Sequence, residues 1–225
     1  MDAAVEWDVD ETTAGPETAR IPRPRGGSLV ETAVAYAEER HWDVLAGSWL
    51  VDAGGVRYCS CGDTVCPAPG AHPTRPDWAT RATGSPAVVR EMWREQPSAS
   101  ILLPTGRTFD ALSVPESAGF LALARMRRMD LNLGPVTLTP DRRMQFLVLP
   151  GGAAKAPELV RQVGWAAAAR DLVALGDGRY LAAPPTRIGS RGAVQWACRP
   201  TPANRWLPDA EELIPPLAYA CNQDC

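Results

Sequence analysis

Apolar and polar residues follow one another in short blocks that predict a helix close to the start of the ordered part of the chain. Ser28 and Glu31 are placed as an S-x-x-E capping box, and the apolar residues after them recur at helical spacing. A second helix is predicted to begin at Ser85, with Pro86 in its first turn, and to end before Pro97.

The middle and end of the chain alternate strand-like and helix-like blocks. Strands are predicted at 100–103, 109–114, 136–139, 144–149, 172–175, 180–183 and 193–198. Helices are predicted at 116–129 and 158–169, and a last one begins at Asp209 and is expected to be distorted by Pro215 and Pro216. This order predicts an α/β or α+β sheet domain.

Composition sets the limits of the ordered region. Residues 1–27 are rich in acids, Pro and Gly and then turn basic, which predicts a flexible arm, followed by a domain at 28–217 and a tail at 218–225. The net charge of −3 argues against a protein that binds nucleic acid by overall positive charge alone. No apolar run is long enough for a membrane span and the acidic start lacks a signal-peptide core, so we expect a cytoplasmic protein without a membrane partner.

A cysteine cluster carries specific chemistry. Cys59, Cys61, Cys66 and His72 are spaced C-x-C-x4-C-x5-H within a small loop at about 58–73. Three thiolates and an imidazole form a common tetrahedral zinc set, so the loop is predicted to hold a structural Zn²⁺. Free or redox-active cysteines are the alternative. Cys198, Cys221 and Cys225 lie outside the loop, and the last two are predicted near a frayed carboxyl terminus.

Several segments in order carry a family resemblance over about 29–217. They are VETAVAYAEERHWDV, the run from HPTRPDWATRATG to ASILLPTG, the hairpin GPVTLTPDRRMQFLV and the segment GDGRYLAAPPTR. These resemble the bifunctional DNA primase/polymerase N-terminal (prim-pol) domain of the archaeo-eukaryotic primase superfamily. The resemblance implies a prim-pol fold with a central mixed, RRM-like sheet and flanking helices, in which 109–114 is an inner strand beside 144–149.

The resemblance also exposes two departures. Members of the family usually carry an Asp-x-Asp or Asp-x-Glu pair where this chain has Ser113, Val114 and Pro115, and a His where it has Met144 or Gln145. Nucleotidyl transfer needs two divalent cations held by carboxylates. We therefore expect a degenerate prim-pol domain that has lost nucleotidyl transfer and acts as a nucleotide-binding, nucleic-acid-binding or regulatory module.

An active enzyme is the alternative, because acidic residues lie near Ser113 and Pro115 in the sequence or follow later in the chain. Asp110, Glu116 and Asp177 are the fallback carboxylates for Mg²⁺ or Mn²⁺, although Asp110 is predicted on the strand face opposite Ser113. Ser113 and Glu116 also read as a second capping box with Pro115 in the first turn, which is a structural use of the same residues. A second alternative is a protein-interaction adaptor that contacts its partner through the arm or the tail.

Arginine residues are the candidate contacts for nucleotides or single-stranded nucleic acid. Guanidinium groups suit phosphate oxygens, and Arg142, Arg143, Arg187 and Arg191 stand in the hairpin turn and after the Pro-Pro segment. Further candidates on the helix after the altered strand are Arg125, Arg127 and Arg128. An ordinary solvated surface is the alternative for all of them. The tryptophans are expected either to stack bases or to pack in the core.

Overall fold

A computed structural model describes residues 28–164 and 170–223 of the chain. The described helices are α1 (Leu29–Arg40), α2 (Trp78–Arg81), α3 (Pro86–Glu95), α4 (Glu116–Arg128), α5 (Gly152–Val163) and α6 (Ala210–Gln223). The described strands are β1 (Leu45–Ala46), β2 (Leu50–Ala53), β3 (Val56–Cys59), β4 (Ile101–Pro104), β5 (Asp110–Pro115), β6 (Val136–Thr139), β7 (Arg143–Val148), β8 (Val173–Leu175), β9 (Tyr180–Ala182), β10 (Arg187–Ile188), β11 (Gly192–Ala193) and β12 (Gln195–Cys198).

The largest sheet has the order β12-β6-β7-β5-β8, and a smaller one has the order β1-β4-β9. Two hairpins, β2–β3 and β10–β11, complete the strands. Strand β5 lies between β7 and β8, as the sequence predicts for an inner strand. The α/β class is confirmed, and the expected mixed sheet is antiparallel at every strand pairing in the described residues.

Both faces of the five-stranded sheet are covered, because successive residues of a strand point to opposite sides. Leu112 and Phe146 lie on the face that packs against α4, α5 and α6. Ala111 and Leu147 lie on the other face, in a second core cluster with residues of α1, α3, β4 and β9. Phe146 is fully buried and alone contributes about 1.5–3 kcal/mol of hydrophobic stabilisation.

The local start signals of the first two long helices are confirmed. Ser28 Oγ accepts a hydrogen bond from the Glu31 N–H at 3.3 Å, and the Ser28 N–H donates to the Glu31 carboxylate at 2.8 Å. Pro86 occupies the first turn of α3, which ends at Glu95 before Pro97. Within the described residues, no helix combines the length and the apolar character that a membrane span requires.

Two helices differ from the sequence prediction. Helix α5 begins at Gly152, not near 158. The Asp110 carboxylate on β5 accepts a hydrogen bond from the Ala153 N–H at 2.9 Å and so caps the start of this helix. The predicted end of this helix, at 165–169, lies outside the described residues. Helix α6 runs without a break through Pro215 and Pro216, since its apolar side is buried against α4 and α5.

The carboxyl end also differs from the expected tail. Residues 218–223 form the last turns of α6, and Ala218, Ala220 and Cys221 are fully buried. Cys221 is therefore a core residue and does not lie at a frayed end. The predicted arm at 1–27 and the predicted terminal cysteine, Cys225, lie outside the described residues.

Candidate functional site

The segment 59–72, the Cys/His loop, brings together the four side chains that the sequence singles out. Cys59 ends β3, and the ligand atoms of Cys59, Cys61, Cys66 and His72 all lie within 4.8 Å of one another. The Cys59 Sγ and His72 Nε2 atoms are 3.2 Å apart. With metal–sulfur bonds of about 2.3 Å and metal–nitrogen bonds of about 2.0 Å, tetrahedral ligand atoms stand roughly 3.5–3.8 Å apart. The cluster has the size of such a site.

Hydrogen bonds orient the side chains of this cluster and shift the pKa of one of its thiols. His72 Nδ1 lies 2.8 Å from the Pro73 carbonyl oxygen and must donate to it, which leaves the Nε2 lone pair facing the thiols. Burial raises the pKa of Cys59, but hydrogen bonds from groups that include the Cys61 and Gly70 N–H bring it down to about 6. Burial raises the pKa of Cys66 to about 11. A bound cation would have to displace the remaining protons.

The Cys/His loop is fastened to the β10–β11 hairpin. The Gly189 N–H donates to the Pro69 carbonyl oxygen at 2.8 Å, and Arg191 Nη2 donates to the Pro67 carbonyl oxygen at 2.9 Å. Gly70 has a φ of 74°, and a Cβ atom there would lie 2.7 Å from the Leu50 side chain. Only glycine fits at this point of the loop.

A polar face lies at one end of the five-stranded sheet. It consists of Ser113 on β5, Gln145 and Arg143 on β7, and Thr137 and Thr139 on β6, which stand opposite one another in the strand register. The Thr137 hydroxyl donates to the Gln145 side-chain oxygen at 2.8 Å. None of the strand residues on this face is acidic.

Arg143 is the only charged side chain of the polar face, and its Nε and Nη2 donors are engaged. Its Nε donates to Ser113 Oγ at 2.8 Å, and its Nη2 donates to the carbonyl oxygens of Ser113 at 2.8 Å and Asp171 at 2.7 Å. Ser113 is only 3% exposed. A guanidinium therefore covers this position of β5.

Comparison with known proteins identifies the family of the chain. The family model described as bifunctional DNA primase/polymerase, N-terminal, matches residues 33–206. The chain belongs to this family. Neither a curated protein nor a solved structure matches it.

In this prim-pol chain the resemblance puts the carboxylate pair at Ser113 and Pro115 and the histidine at Met144 or Gln145. Gln145 is the residue that shares the polar face with Ser113, directly across the β5–β7 pairing. Met144 points to the opposite face, where it is fully buried against Gly119 of α4. Gln145 thus occupies the position from which a side chain could act together with Ser113.

The predicted second capping box is wrong. Pro115, not Ser113, is the N-cap of α4, and no side chain caps this helix. The Ser113 hydroxyl accepts from Arg143 instead, and Glu116 forms an ion pair with Arg142 at 3.1 Å. Arg142 lies in the turn between β6 and β7, and Arg143 is the first residue of β7; only the strand register brings them to these partners.

The three fallback carboxylates do not converge. Asp110 lies at the start of β5 and caps α5, while Glu116 follows the other end of β5, roughly 20 Å away at about 3.3 Å per residue. Asp177 is exposed in the turn that approaches Gly106. In residues 28–164 and 170–223, the Cys/His loop is the only group of three or more potential metal ligands of this type.

The predicted arginines separate into different surroundings. Arg142 and Arg191 line one cavity of about 260 Å³ together with Thr139 and Gln195. Arg187 lines another cavity beside Leu50 and Gly70. Arg125 stacks over Tyr219 with 4.5 Å from Cζ to the ring centroid, and Arg127 Nη2 lies 3.6 Å from Cys198 Sγ, so these two contact the protein itself. Thr139 and Gln195 were missed in the sequence because no local signal places them beside an arginine.

Proposed function

We propose that this prim-pol domain binds nucleotides or single-stranded nucleic acid and does not catalyse nucleotidyl transfer. Membership of the family suggests a nucleotidyltransferase-like ancestry and an interaction with nucleotides or nucleic acid. The observation that carries the proposal is the Arg143 guanidinium, which donates to Ser113 at 2.8 Å where the resemblance expects a metal-binding carboxylate.

Electrostatics makes this arrangement incompatible with a metal pair at the same place. Mg²⁺ requires oxygen ligands at about 2.0–2.1 Å and keeps near-octahedral geometry. A divalent cation about 4 Å from a guanidinium would be repelled by roughly 8 kcal/mol at an effective dielectric constant of 20. No carboxylate on the polar face offsets this repulsion.

The remaining capacity of the site is phosphate binding at the Arg142/Arg191 cavity. The Arg142 side chain is 82% exposed, and its backbone adopts a left-handed conformation with a φ of 61°. This conformation costs a non-glycine residue on the order of 1 kcal/mol, so an arginine at this position supports a role for the side chain. The Gln195 amide adds a polar group next to the two guanidinium groups. Glu116 also lines the cavity and pairs with Arg142 at 3.1 Å, so a phosphate must compete with this carboxylate.

We further propose that the Cys/His loop holds Zn²⁺, because three sulfur ligands and one imidazole nitrogen match its preferences. Elemental analysis is expected to find one zinc per chain in the purified protein. Cys61→Ser should reduce the zinc content, whereas Cys198→Ser, outside the loop, should leave it unchanged. Equal zinc contents in the two variants, or none in the parent protein, would rule out this assignment.

A cytoplasmic location remains a prediction.

The catalytic part of the proposal is tested by template-directed incorporation of labelled nucleotides with Mg²⁺ or Mn²⁺. No extension is expected from the parent protein. Ser113→Asp alone should also remain inactive, because the new carboxylate would pair with Arg143. Robust extension that is lost in Glu116→Ala would overturn the proposal in favour of an active enzyme.

The binding part is tested by fluorescence titration with a labelled nucleoside triphosphate and a labelled single strand. Arg142→Ala and Arg191→Ala should each weaken binding about ten-fold or more, since a hydrogen bond to a charged group contributes about 1.5–3 kcal/mol. Arg161→Ala is the matched control, because Arg161 pairs with Glu158 on α5, away from the cavity. Absence of both binding and extension would favour a protein-interaction adaptor.

A further inference from the structure

A second concave surface, distinct from the Arg142/Arg191 cavity, is lined by residues of the Cys/His loop. One cavity of about 440 Å³ is bounded by the loop, β1, α2 and the end of α3, and includes Trp49, Trp78 and Arg81 in its lining. A neighbouring cavity of about 580 Å³ includes Cys66, Pro67 and Tyr180 in its lining. Trp78 lines both cavities, which therefore form one trough.

Aromatic groups are concentrated in this trough. Trp49 and Trp78 are both half-buried and line the 440 Å³ cavity together with Leu45 and Ala46. Tyr180 packs edge-on against Trp78, with ring centroids 5.6 Å apart, and so fixes the orientation of that indole. Planar rings held in this way are platforms for nucleobases, and each stacked base contributes affinity regardless of its sequence.

The charges on the trough rim suit a phosphodiester, but only weakly. Arg75 and Arg81 line the wall made by α2 and the residues before it. Arg75 also forms an ion pair with Asp77, with Nε and Oδ1 3.3 Å apart. Asp63 and Glu95 also line the trough. Stacking must therefore supply most of the affinity, with the two guanidinium groups holding the backbone.

The position of the trough favours an extended ligand. Pro67 lines its far end and accepts a hydrogen bond from Arg191, which also lines the Arg142/Arg191 cavity. A chain lying in the trough would thus pass the Cys/His loop toward the Arg142/Arg191 cavity. A single mononucleotide would occupy only one of the two adjoining cavities.

We propose that this trough binds single-stranded nucleic acid, with bases stacked on Trp49 and Trp78 and phosphates held by Arg75 and Arg81. The proposal deepens the proposed function and rests on it, because it names the partner and gives it residues outside the polar face. It also assigns the Cys/His loop a role in shaping the binding surface.

The experiment compares a labelled twelve-nucleotide oligothymidine with a labelled mononucleotide. Trp78→Leu and Arg81→Ala are each expected to weaken oligonucleotide binding about ten-fold or more and to leave mononucleotide binding unchanged. Trp206→Leu, which alters an indole that is 80% exposed outside the trough, and Arg161→Ala serve as matched controls. Arg81 is exposed, so Arg81→Ala tests the trough even if Trp78→Leu destabilises the fold.

The outcomes distinguish failure of the trough assignment from failure of the proposed function. Binding of the oligonucleotide that is unchanged in Trp78→Leu and Arg81→Ala but weakened in Arg142→Ala would refute the trough and keep the proposed function. Equal losses for mononucleotide and oligonucleotide in the trough variants would refute a single-strand partner. Failure of the parent protein to bind either ligand would refute both. Photocrosslinking of a bromouracil-containing strand should give adducts at Trp78 or Tyr180, and adducts confined to other regions would count against the trough.

Discussion

Replacement of Asp110 distinguishes a structural carboxylate from a catalytic one. The side chain is 2% exposed, and its Oδ2 atom accepts the Ala153 N–H at 2.9 Å at the start of α5. Its Oδ1 atom is buried without a hydrogen-bond partner in the described structure. In this arrangement Asp110 caps a helix from a neighbouring strand, and its removal should act on stability rather than on chemistry.

The magnitude follows from the lost cap and from the residual cost of Oδ1. An N-cap interaction contributes about 0.5–2 kcal/mol, and a negative charge at a partly buried helix start up to about 2 kcal/mol. Removal of Oδ1, a polar atom that is buried without a partner, relieves an unfavourable burial and so offsets part of this loss of stability. We expect Asp110→Ala to lower the free energy of unfolding by about 1–3 kcal/mol. At about 2–4 °C per kcal/mol, the unfolding midpoint should fall by roughly 2–12 °C.

Urea and thermal unfolding measure this loss, and two variants complete the design. Asp110→Asn keeps an acceptor for the Ala153 N–H and should lose less stability than Asp110→Ala. Asp177→Ala alters an exposed turn carboxylate and should stay within about 0.5 kcal/mol of the parent. Unchanged stability in Asp110→Ala, together with loss of a metal-dependent nucleotide incorporation, would refute the reasoning and make Asp110 a catalytic ligand.

Three further changes test the packing, the loop and a surface cap. Gly119→Ala should destabilise the protein by about 1–3 kcal/mol in urea unfolding, because its Cβ would lie 2.6 Å from Met144 Sδ; stabilisation would mean that α4 packs less closely on β7. Removal of zinc with a chelator should weaken binding at the Arg142/Arg191 cavity, since Pro67 anchors Arg191, and re-added zinc should restore it; binding indifferent to zinc would contradict this coupling. The Glu211 N–H and Lys155 lower the pKa of Asp209, so Asp209→Asn should lower the free energy of unfolding near neutral pH. This difference from the parent should disappear as the pH falls through the range in which carboxyl groups are protonated. A difference that persists in acid would mean that the negative charge of Asp209 is not its cause.

The sequence by itself determined features that depend on neighbouring residues. The α1 capping box needs only Ser28 and Glu31, three residues apart, and the limits of α3 follow from the fixed φ of proline. The metal-ligand spacing of the Cys/His loop could also be recognised in the sequence, because this short segment contains two glycines, Gly62 and Gly70, that let it fold back on itself. The inner position of β5 was predicted from the order of the segments that resemble the family, which are all present in the sequence.

Only the tertiary structure decided where the polar and charged side chains find their partners. Arg143 reaches Ser113 across 30 residues, and Asp110 caps α5 across 43, so no local pattern contains either contact. The same holds for α6, in which burial of one side outweighs the hydrogen bonds lost at Pro215 and Pro216. Local hydrogen bonds and backbone preferences are encoded within a few residues, whereas the partners of a buried charge depend on strand register and helix packing, which the whole chain sets together.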